Sequence, residues 1–400
     1  MQSFLQLPFD IRLIVYEQVL ADQKLARPQP PNDHIRLLHV CTQITSEADH
    51  ILRQYVSLRS ERQMLAFHRL APRAQMAQIR FADVANDGRT VLDLTTGRKT
   101  PISCLYLALD GMRGLKHLRV FELRGTPYAP SGPQLRYVRD FERSMYPQTG
   151  AFQFKPELLS FELLLSHATH VRPFAVLGPA TIVTLRLSGN CHLFESGSAR
   201  QAMPALRHLT LVAVTSTYFD RKSLAACFAR ARLDSFAYAQ GHKLGFEIRD
   251  SHLETLVSPR GPGAHLRTLV LLQCIYLSSH AIAACLQSLP ALEYLALSLV
   301  TVNELRCNFA DAFPPTLRVL KLQVTNSLYS RPFIKEEAEI CDTIEHRFLR
   351  CNHPLSILFI HVHDEVMSVD GRAERWKSIA STAHIDFRLG LWEEDECRWI

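Results

Sequence analysis

The chain has little glycine, 16 of 400 residues and with no period, which excludes collagen-like and glycine-rich flexible polymers. No window approaches 18 uncharged apolar residues, so no transmembrane helix and no membrane partner are expected. Met1 to Arg12 lacks a basic stretch followed by an apolar run and a small-residue cleavage site, so no secretory signal is expected. The ten cysteines are scattered, with no Cys-x-x-Cys pair, whereas secreted disulfide scaffolds are far denser. They are expected to be mostly reduced, buried small hydrophobes of a cytoplasmic or nuclear protein. No run of five basic residues occurs. The net charge of +6 resides in residues 1–150, with 20 Lys+Arg against 14 Asp+Glu, while the remaining 250 residues balance at 25 against 25. So mild a surplus does not make the clustered basic face that nucleic acid requires, and no nucleic-acid partner is expected.

Catalytic signatures are missing too. There is no phosphate loop, no Gly-x-Gly-x-x-Gly, no His-Glu-x-x-His and no Gly-x-Ser-x-Gly. His361-Val-His363-Asp364 places two imidazoles on one face of an expected strand, with Cys351-Asn-His353 ten residues earlier. Eighteen histidines make such pairs by coincidence, and no metal, cofactor or catalytic residue is assigned. Glu393-Glu-Asp-Glu396 is expected to be a solvated acidic end.

What is present is apolar patterning of two kinds. Residues 1–57 form a small helical unit. Leu7-Pro8-Phe9-Asp10 opens its first helix, because a first-turn proline lacks an N–H that is unpaired there anyway. The run through Ile11, Leu13, Ile14, Val15, Tyr16, Val19 and Leu20 is apolar nearly all round, so this helix is buried or binds a partner. A Pro-rich loop at 26–33 follows. A second helix is expected over Ile35 to Ile44, and a third capped by Ser46 with Ala48, Ile51, Leu52, Tyr55 and Val56 inward. Residues 58–100 connect, with short strands at 79–81 and 90–92 around Asn86-Asp87-Gly88.

From 101 to 365 the phrase Leu-x-x-Leu-x-Leu recurs. Its instances are Leu118/Phe121/Leu123, Ile182/Leu185/Leu187, Leu206/Leu209/Leu211, Leu233/Phe236/Tyr238, Leu266/Leu269/Leu271, Leu292/Leu295/Leu297, Leu317/Leu320/Leu322 and Leu355/Leu358/Ile360. Starts at 182, 206, 233, 266, 292 and 317 are spaced by 24, 27, 33, 26 and 25 residues. That matches the leucine-rich period of about 20–29 residues, with the long step hiding a degenerate repeat at Leu253/Leu256. The last two apolar positions share one face of a short strand, and parallel stacking buries a continuous ladder. Linking helices are expected at Ser223 to Arg232 and from a Ser279 cap to Leu289, with Ile282, Cys285, Leu286 and Leu289 inward. Asn190 suits a residue that bonds neighbouring backbone inside the turn. An insertion near 124–181 carries a loop at Gly125 to Pro133 and a helix from Pro156 to about His167. Residues 366–400 hold all three tryptophans, Trp376, Trp392 and Trp399, and are expected to cap the open end. The fold class is therefore α/β: a three-helix unit, then an irregular solenoid with parallel strands on a concave face and helices on the convex one.

Phe4 to Leu20, with its Leu-Pro-x-x-Ile-Arg-x-x-Val-Tyr wording, resembles the first helix of an F-box, and Leu37 to Ala48 resembles its closing half. Together they are similar to the fungal F-box-like domain, and the repeats resemble the leucine-rich half of F-box proteins. The resemblance implies a substrate-recognition subunit of a cullin-based ubiquitin ligase of the SCF type, non-catalytic itself. Its partners are then the ligase's adaptor with the cullin complex and an unknown protein substrate. Adaptor contacts carried over by position are Leu7, Pro8, Ile11, Ile14, Leu20, Leu38, Val40 and Ile44. The alternative is a non-ligase interaction scaffold in which these helices only cap the solenoid by packing on Leu105, Leu118 and Leu123. The concave positions alternate with the buried leucines. Arg186, His208, Val212, Val270, Leu272, Tyr294, Val319 and Lys321 are the expected substrate-binding residues; among them Val212, Val270, Leu272, Tyr294 and Val319 make an apolar stripe suited to a peptide groove, or to the 124–181 insertion or the C-terminal Trp segment folding over it.

Overall fold

The computed structural model describes residues 4–25, 28–123, 134–146, 157–174, 177–193, 202–215, 218–240, 245–301, 305–327, 332–351, 353–394 and 396. The loop expected at Gly125 to Pro133, together with Trp399, lies outside the described residues. The chain divides into two compact units, Met1–Thr184 with Gly189–Ser196, and Leu185–Ser188 with Gly197–Ile400.

The first unit begins with helix α1 (Phe9–Leu25) after a single turn at Phe4–Gln6. The expected second and third helices are distributed differently. Asp33–His39 is a 3₁₀ turn, and one helix, α2 (Thr42–Leu52), covers the rest. Ser46 lies inside α2 with its hydroxyl on the Gln43 carbonyl, 2.9 Å away, so it caps nothing. Tyr55 and Val56 have left the helix and start strand β1 (Tyr55–Leu58). Next come β2 (Phe81–Asn86), β3 (Arg89–Asp93), β4 (Lys99–Pro101), β5 (His117–Glu122), β6 (Leu135–Arg139), β7 (Ser160–Leu164) and β8 (His170–Val171). Strand β9 (Thr184–Cys191) is divided between the units.

In this unit β1, β2, β5 and β7 pair in parallel, in that order. Val56, Ala82, Leu118 and Phe161 form one buried row, and Leu58, Val84, Val120 and Leu163 the next. Each row is continuous because the pairing register is preserved from strand to strand. The carbonyl before each strand accepts two N–H groups of the next unit: Gln54 from Arg80 and Phe81 (2.9 and 3.0 Å), Arg80 from Lys116 and His117 (3.0 and 2.9 Å).

Three expectations are corrected here. The true phrase at β5 is Leu115/Leu118/Val120, not Leu118/Phe121/Leu123. Of the helix expected from Pro156 to about His167, Pro156 lies outside the described residues and Ser160–Leu164 is the strand β7, because Leu158/Phe161/Leu163 repeats the ladder phrase and overrides helical spacing. The strands expected around Asn86-Asp87-Gly88 are present as β2 and β3, but the first begins at Phe81, where the expected one ended, and the two are not paired with each other. At Asn86-Asp87-Gly88 the chain leaves the parallel sheet and enters an antiparallel one of order β4-β3-β6. Gly88 makes that exit possible, with φ +71° and Phe141 3.1 Å from where a Cβ would sit.

The second unit holds β10 (His208–Val214), β11 (Ser235–Ala239), β12 (Thr268–Cys274), β13 (Tyr294–Thr301), β14 (Val319–Asn326), β15 (Ile357–His361) and β16 (Asp386–Leu389). All pair in parallel in sequence order. Leu209, Phe236, Leu269, Leu295, Leu320, Leu358 and Phe387 share one row, and Leu211, Tyr238, Leu271, Leu297, Leu322, Ile360 and Leu389 the other. Every fully buried leucine of these rows contributes about 1.5–3 kcal/mol.

Helices return the chain on the leucine side. Ser223 caps a helix as expected, its oxygen accepting from Ala226 N at 3.2 Å, but that helix is only Leu224–Cys227 and does not reach Arg232. For Ser279–Gln287 the cap is Ser278, one residue earlier than expected, but Ile282, Cys285, Leu286 and Leu289 are buried as expected. Leu253 and Leu256 lie on the buried side of a helix, Asp250–Val257, and are not a further repeat strand. The C-terminal segment adds a helix, Arg372–Thr382, whose Trp376 is fully buried, and then β16 on the β15 edge. No helix among the described residues is long and apolar enough to cross a membrane.

Candidate interaction surfaces

In the first unit the helical segment is organised by what faces inward from α1. Arg12, Tyr16 and Leu20, four residues apart, are buried. The Arg12 guanidinium grips both oxygens of Glu47 (2.9 and 2.6 Å) and also donates to the Leu5 and Leu7 carbonyls. Glu47 further accepts from the Tyr16 hydroxyl at 3.1 Å and from the Gln43 amide at 3.0 Å. Arg12 foremost, helped by these two, holds the Glu47 carboxyl at about 2. Tyr16 and Leu20 then pack with Leu38, Ile44, Ala48, Ile51, Leu52 and Tyr55.

Fixing that face inward turns the other outward. Ile11, Ile14 and Val15 share a stripe by their spacing and are 45%, 59% and 38% exposed, with Phe9 beside them. Of the expected adaptor contacts, Pro8, Ile11, Ile14 and Val40 are exposed and Leu7 is half-buried. Leu20, Leu38 and Ile44 belong to the core of the helical segment and are not on its surface. Sequence spacing missed Phe9 and Val15, since a helix apolar all round does not announce which side its charged residue will claim.

Beneath α1 lies a buried polar row across β1, β2 and β5. Arg119 donates to Asp83 through Nε (2.6 Å) and through its second nitrogen, which also reaches the Gln23 carbonyl of α1 at 3.2 Å. Tyr55 donates to the same carboxylate at 2.6 Å. The proline loop is tied down alongside, with Ser57 Oγ donating to the Pro30 carbonyl at 2.6 Å and Asn32 exchanging two hydrogen bonds with the Ser57 backbone, 2.7 Å each.

In the second unit the strand face opposite the leucines has its own rows. One runs His208, Ser235, Thr268, Tyr294, Val319, Ile357 and Asp386; the next runs Thr210, Ala237, Val270, Ala296, Lys321, Phe359 and Arg388. The expected residues His208, Val212, Val270, Leu272, Tyr294, Val319 and Lys321 do lie on this face. His208 is exposed; Val212, Tyr294, Val319 and Lys321 are half-buried; Val270 and Leu272 are buried. Arg186, on β9, is buried.

What buries the middle of the face is the chain's own end. After β16 the backbone turns at Gly390 (φ +114°) and Trp392 inserts among Ala237, Ala239, Val270, Leu272, Ala296 and Phe359. The three alanines leave room that a larger side chain would fill. Glu393 accepts from Ser298 Oγ (2.6 Å) and Gln323 Nε2 (2.9 Å). Glu396 accepts from the Tyr294 hydroxyl and from Lys321 Nζ, both at 2.5 Å. Lys321 also lies over the Tyr294 and Phe359 rings, 5.4 and 5.1 Å from their centres, and Arg388 lies 4.5 Å over Phe359. The acidic run is solvated only in part: Glu394 is exposed and Glu393 half-buried, but Glu396 is 4% exposed, because Lys321 neutralises its carboxylate on the sheet and the Tyr294 hydroxyl donates to it. One group is left over. Trp392 Nε1 is buried with no acceptor among the described residues, a cost of about 1–3 kcal/mol.

The sequence pattern named Tyr294 and Lys321 and, as one alternative, the C-terminal Trp segment folding over this face, which Trp392 does; it did not name Ala237, Ala239 or Phe359. The signal was present in Ser235–Ala239, where small residues alternate with Phe236 and Tyr238. His361 and His363 do not share a strand. His361 ends β15, and His363 caps Asp364–Ser368 by accepting from Glu365 N at 3.4 Å. Asn190 contributes its side-chain oxygen to His192 Nε2 at 3.1 Å, not to backbone. No three metal-ligating side chains converge among the described residues. Of the nine described cysteines none is in a disulfide, and five are buried. Comparison with protein-family models finds no match, and comparison with characterised proteins finds none.

Proposed function

We propose that the chain is a substrate-recognition subunit of a cullin-type ubiquitin ligase, its N-terminal F-box-like helices docking on the adaptor and its leucine-rich-repeat strand face holding a protein target. The observation that carries this reading is the outward stripe of Ile11, Ile14 and Val15 on a helix whose inward face is locked by Arg12 and Glu47. A helix that served only as a cap has no reason to expose its branched aliphatic residues, and three of them on one face need a partner. The wording around Leu7-Pro8 and Val40-Cys41 supports the same reading.

The test is co-purification with the adaptor subunit, using Ile11→Asp/Ile14→Asp, positions exposed enough to accept charge without unfolding the unit. Stoichiometric capture by the wild-type chain, lost in the double variant, supports the reading. No capture by a folded wild-type chain overturns it in favour of a repeat scaffold.

A further inference from the structure

The helix-free face of the second unit shows what chemistry it accepts, because part of the chain already occupies it. We propose that the described residues 391–394 and 396 are a built-in occupant of a peptide-binding face, and that the target supplies in their place an acidic segment with an aromatic anchor. The inference rests on the reading of this face as the target-binding surface.

Four features define the required ligand. The floor formed by Ala237, Ala239, Val270 and Ala296 takes one flat ring, which Trp392 provides. One residue beyond the ring, a carboxylate meets Ser298 and Gln323; four residues beyond, a second meets Tyr294 and Lys321. Lys321 and Arg388 make the surroundings of Phe359 cationic, complementary to a negative segment. The tail is also a replaceable occupant. It leaves the sheet at a glycine hinge, and it buries its indole N–H with no acceptor among the described residues. A ligand with phenylalanine at the anchor has no such group to leave unpaired. Docked in cis, the tail scales the association constant of the face down to the fraction of time the tail is displaced, which makes it an autoinhibitory strap.

The experiment measures fluorescence anisotropy of a labelled Leu-Trp-Glu-Glu-Asp-Glu peptide with two full-length chains, the wild type and Trp392→Ala/Glu393→Ala/Glu396→Ala. The expected result is binding about tenfold tighter or more to the triple variant. Adding Lys321→Glu to that variant abolishes it, a phenylalanine-anchored peptide binds at least as well, and a peptide with lysine for both contacting glutamates does not bind. Equal affinities for the two chains, or indifference to Lys321→Glu, overturn the proposal. If the triple variant is poorly folded, hydrogen exchange on the wild-type chain decides. Millimolar peptide then accelerates exchange of the amides at 391–396; unchanged exchange overturns the proposal. Adaptor capture through Ile11 and Ile14 is a separate readout, so failure here leaves that result standing.

Discussion

Arg12 and Glu47, thirty-five residues apart in sequence, meet at 2.6 Å with their side chains only 9% and 12% exposed. The pair decides the facing of α1, since a guanidinium committed to α2 carries Tyr16 and Leu20 inward with it. Its carboxyl is held at about 2, against an ordinary 4.5. A depressed acid contributes stability above its unfolded value and loses it as pH falls toward the folded one. Thermal melts of the wild type and Glu47→Gln should therefore differ most above about pH 5 and converge as pH approaches 2. A gap that stays constant across that range would show that the charge of Glu47 plays no part.

Asp83 and Arg119 set a different problem, because both are nearly inaccessible, with side chains 2% and 7% exposed. Burial pushes the Asp83 carboxyl up while Arg119 and Tyr55 pull it down. Removing one partner strands the other's charge or donors. Asp83→Ala should destabilise the first unit by about 3–5 kcal/mol, and Asp83→Leu/Arg119→Met should recover most of the loss. Chemical denaturation of the two variants checks this; a double variant as unstable as Asp83→Ala would mean the pair is retained for packing that aliphatic groups cannot reproduce.

Most of the second unit was legible because its ladder is written in one register: the phrase starting at Leu206 recurs at Leu233, Leu266, Leu292, Leu317 and Leu355, and all six strands pair as the phrase requires. The first unit was less legible. Its ladder uses Val56, Ala82 and Val120 in place of leucines, with irregular spacing, so Leu158/Phe161/Leu163 looked helical beside Leu159 and Leu164. The candidate surfaces divide in the same way. Strand alternation placed Tyr294 and Lys321 on the open face, but pairing them with Glu396 needs contacts across 102 and 75 residues, which no local pattern encodes.

Trp376 anchors the helix Arg372–Thr382, and its Nε1 donates to Glu345 at 2.8 Å. Glu345 also accepts from Arg375 at 2.9 Å and from Arg350, so its carboxylate is fully engaged. Trp376→Ala removes a fully buried ring and should cost about 3–5 kcal/mol. Glu345→Leu strands the indole N–H and should cost about 1–3 kcal/mol, through the same group. Combining them tests that sharing. The double variant should be less destabilised than the sum, since without the ring there is no indole to strand; simple additivity in denaturant melts would place the two costs in unrelated contacts.

Ala296 separates the sheet's stability from its occupancy. It is fully buried, with Trp392 packed on one side and the strand backbone behind. Ala296→Leu adds volume that must displace something, at about 1–3 kcal/mol if nothing yields. The tail is the cheaper element to move: it follows a glycine and, among the described residues, makes no strand pairing beyond β16 and leaves its buried indole donor without an acceptor. The substitution should therefore raise hydrogen exchange at 391–396 while β12, β13 and β14 keep their protection. Ala291→Leu, at an exposed site, should do neither. Loss of protection in β13 with the tail still ordered would show that Trp392 is held more firmly than the strand beneath it, and that the face is closed by construction instead of by a displaceable segment.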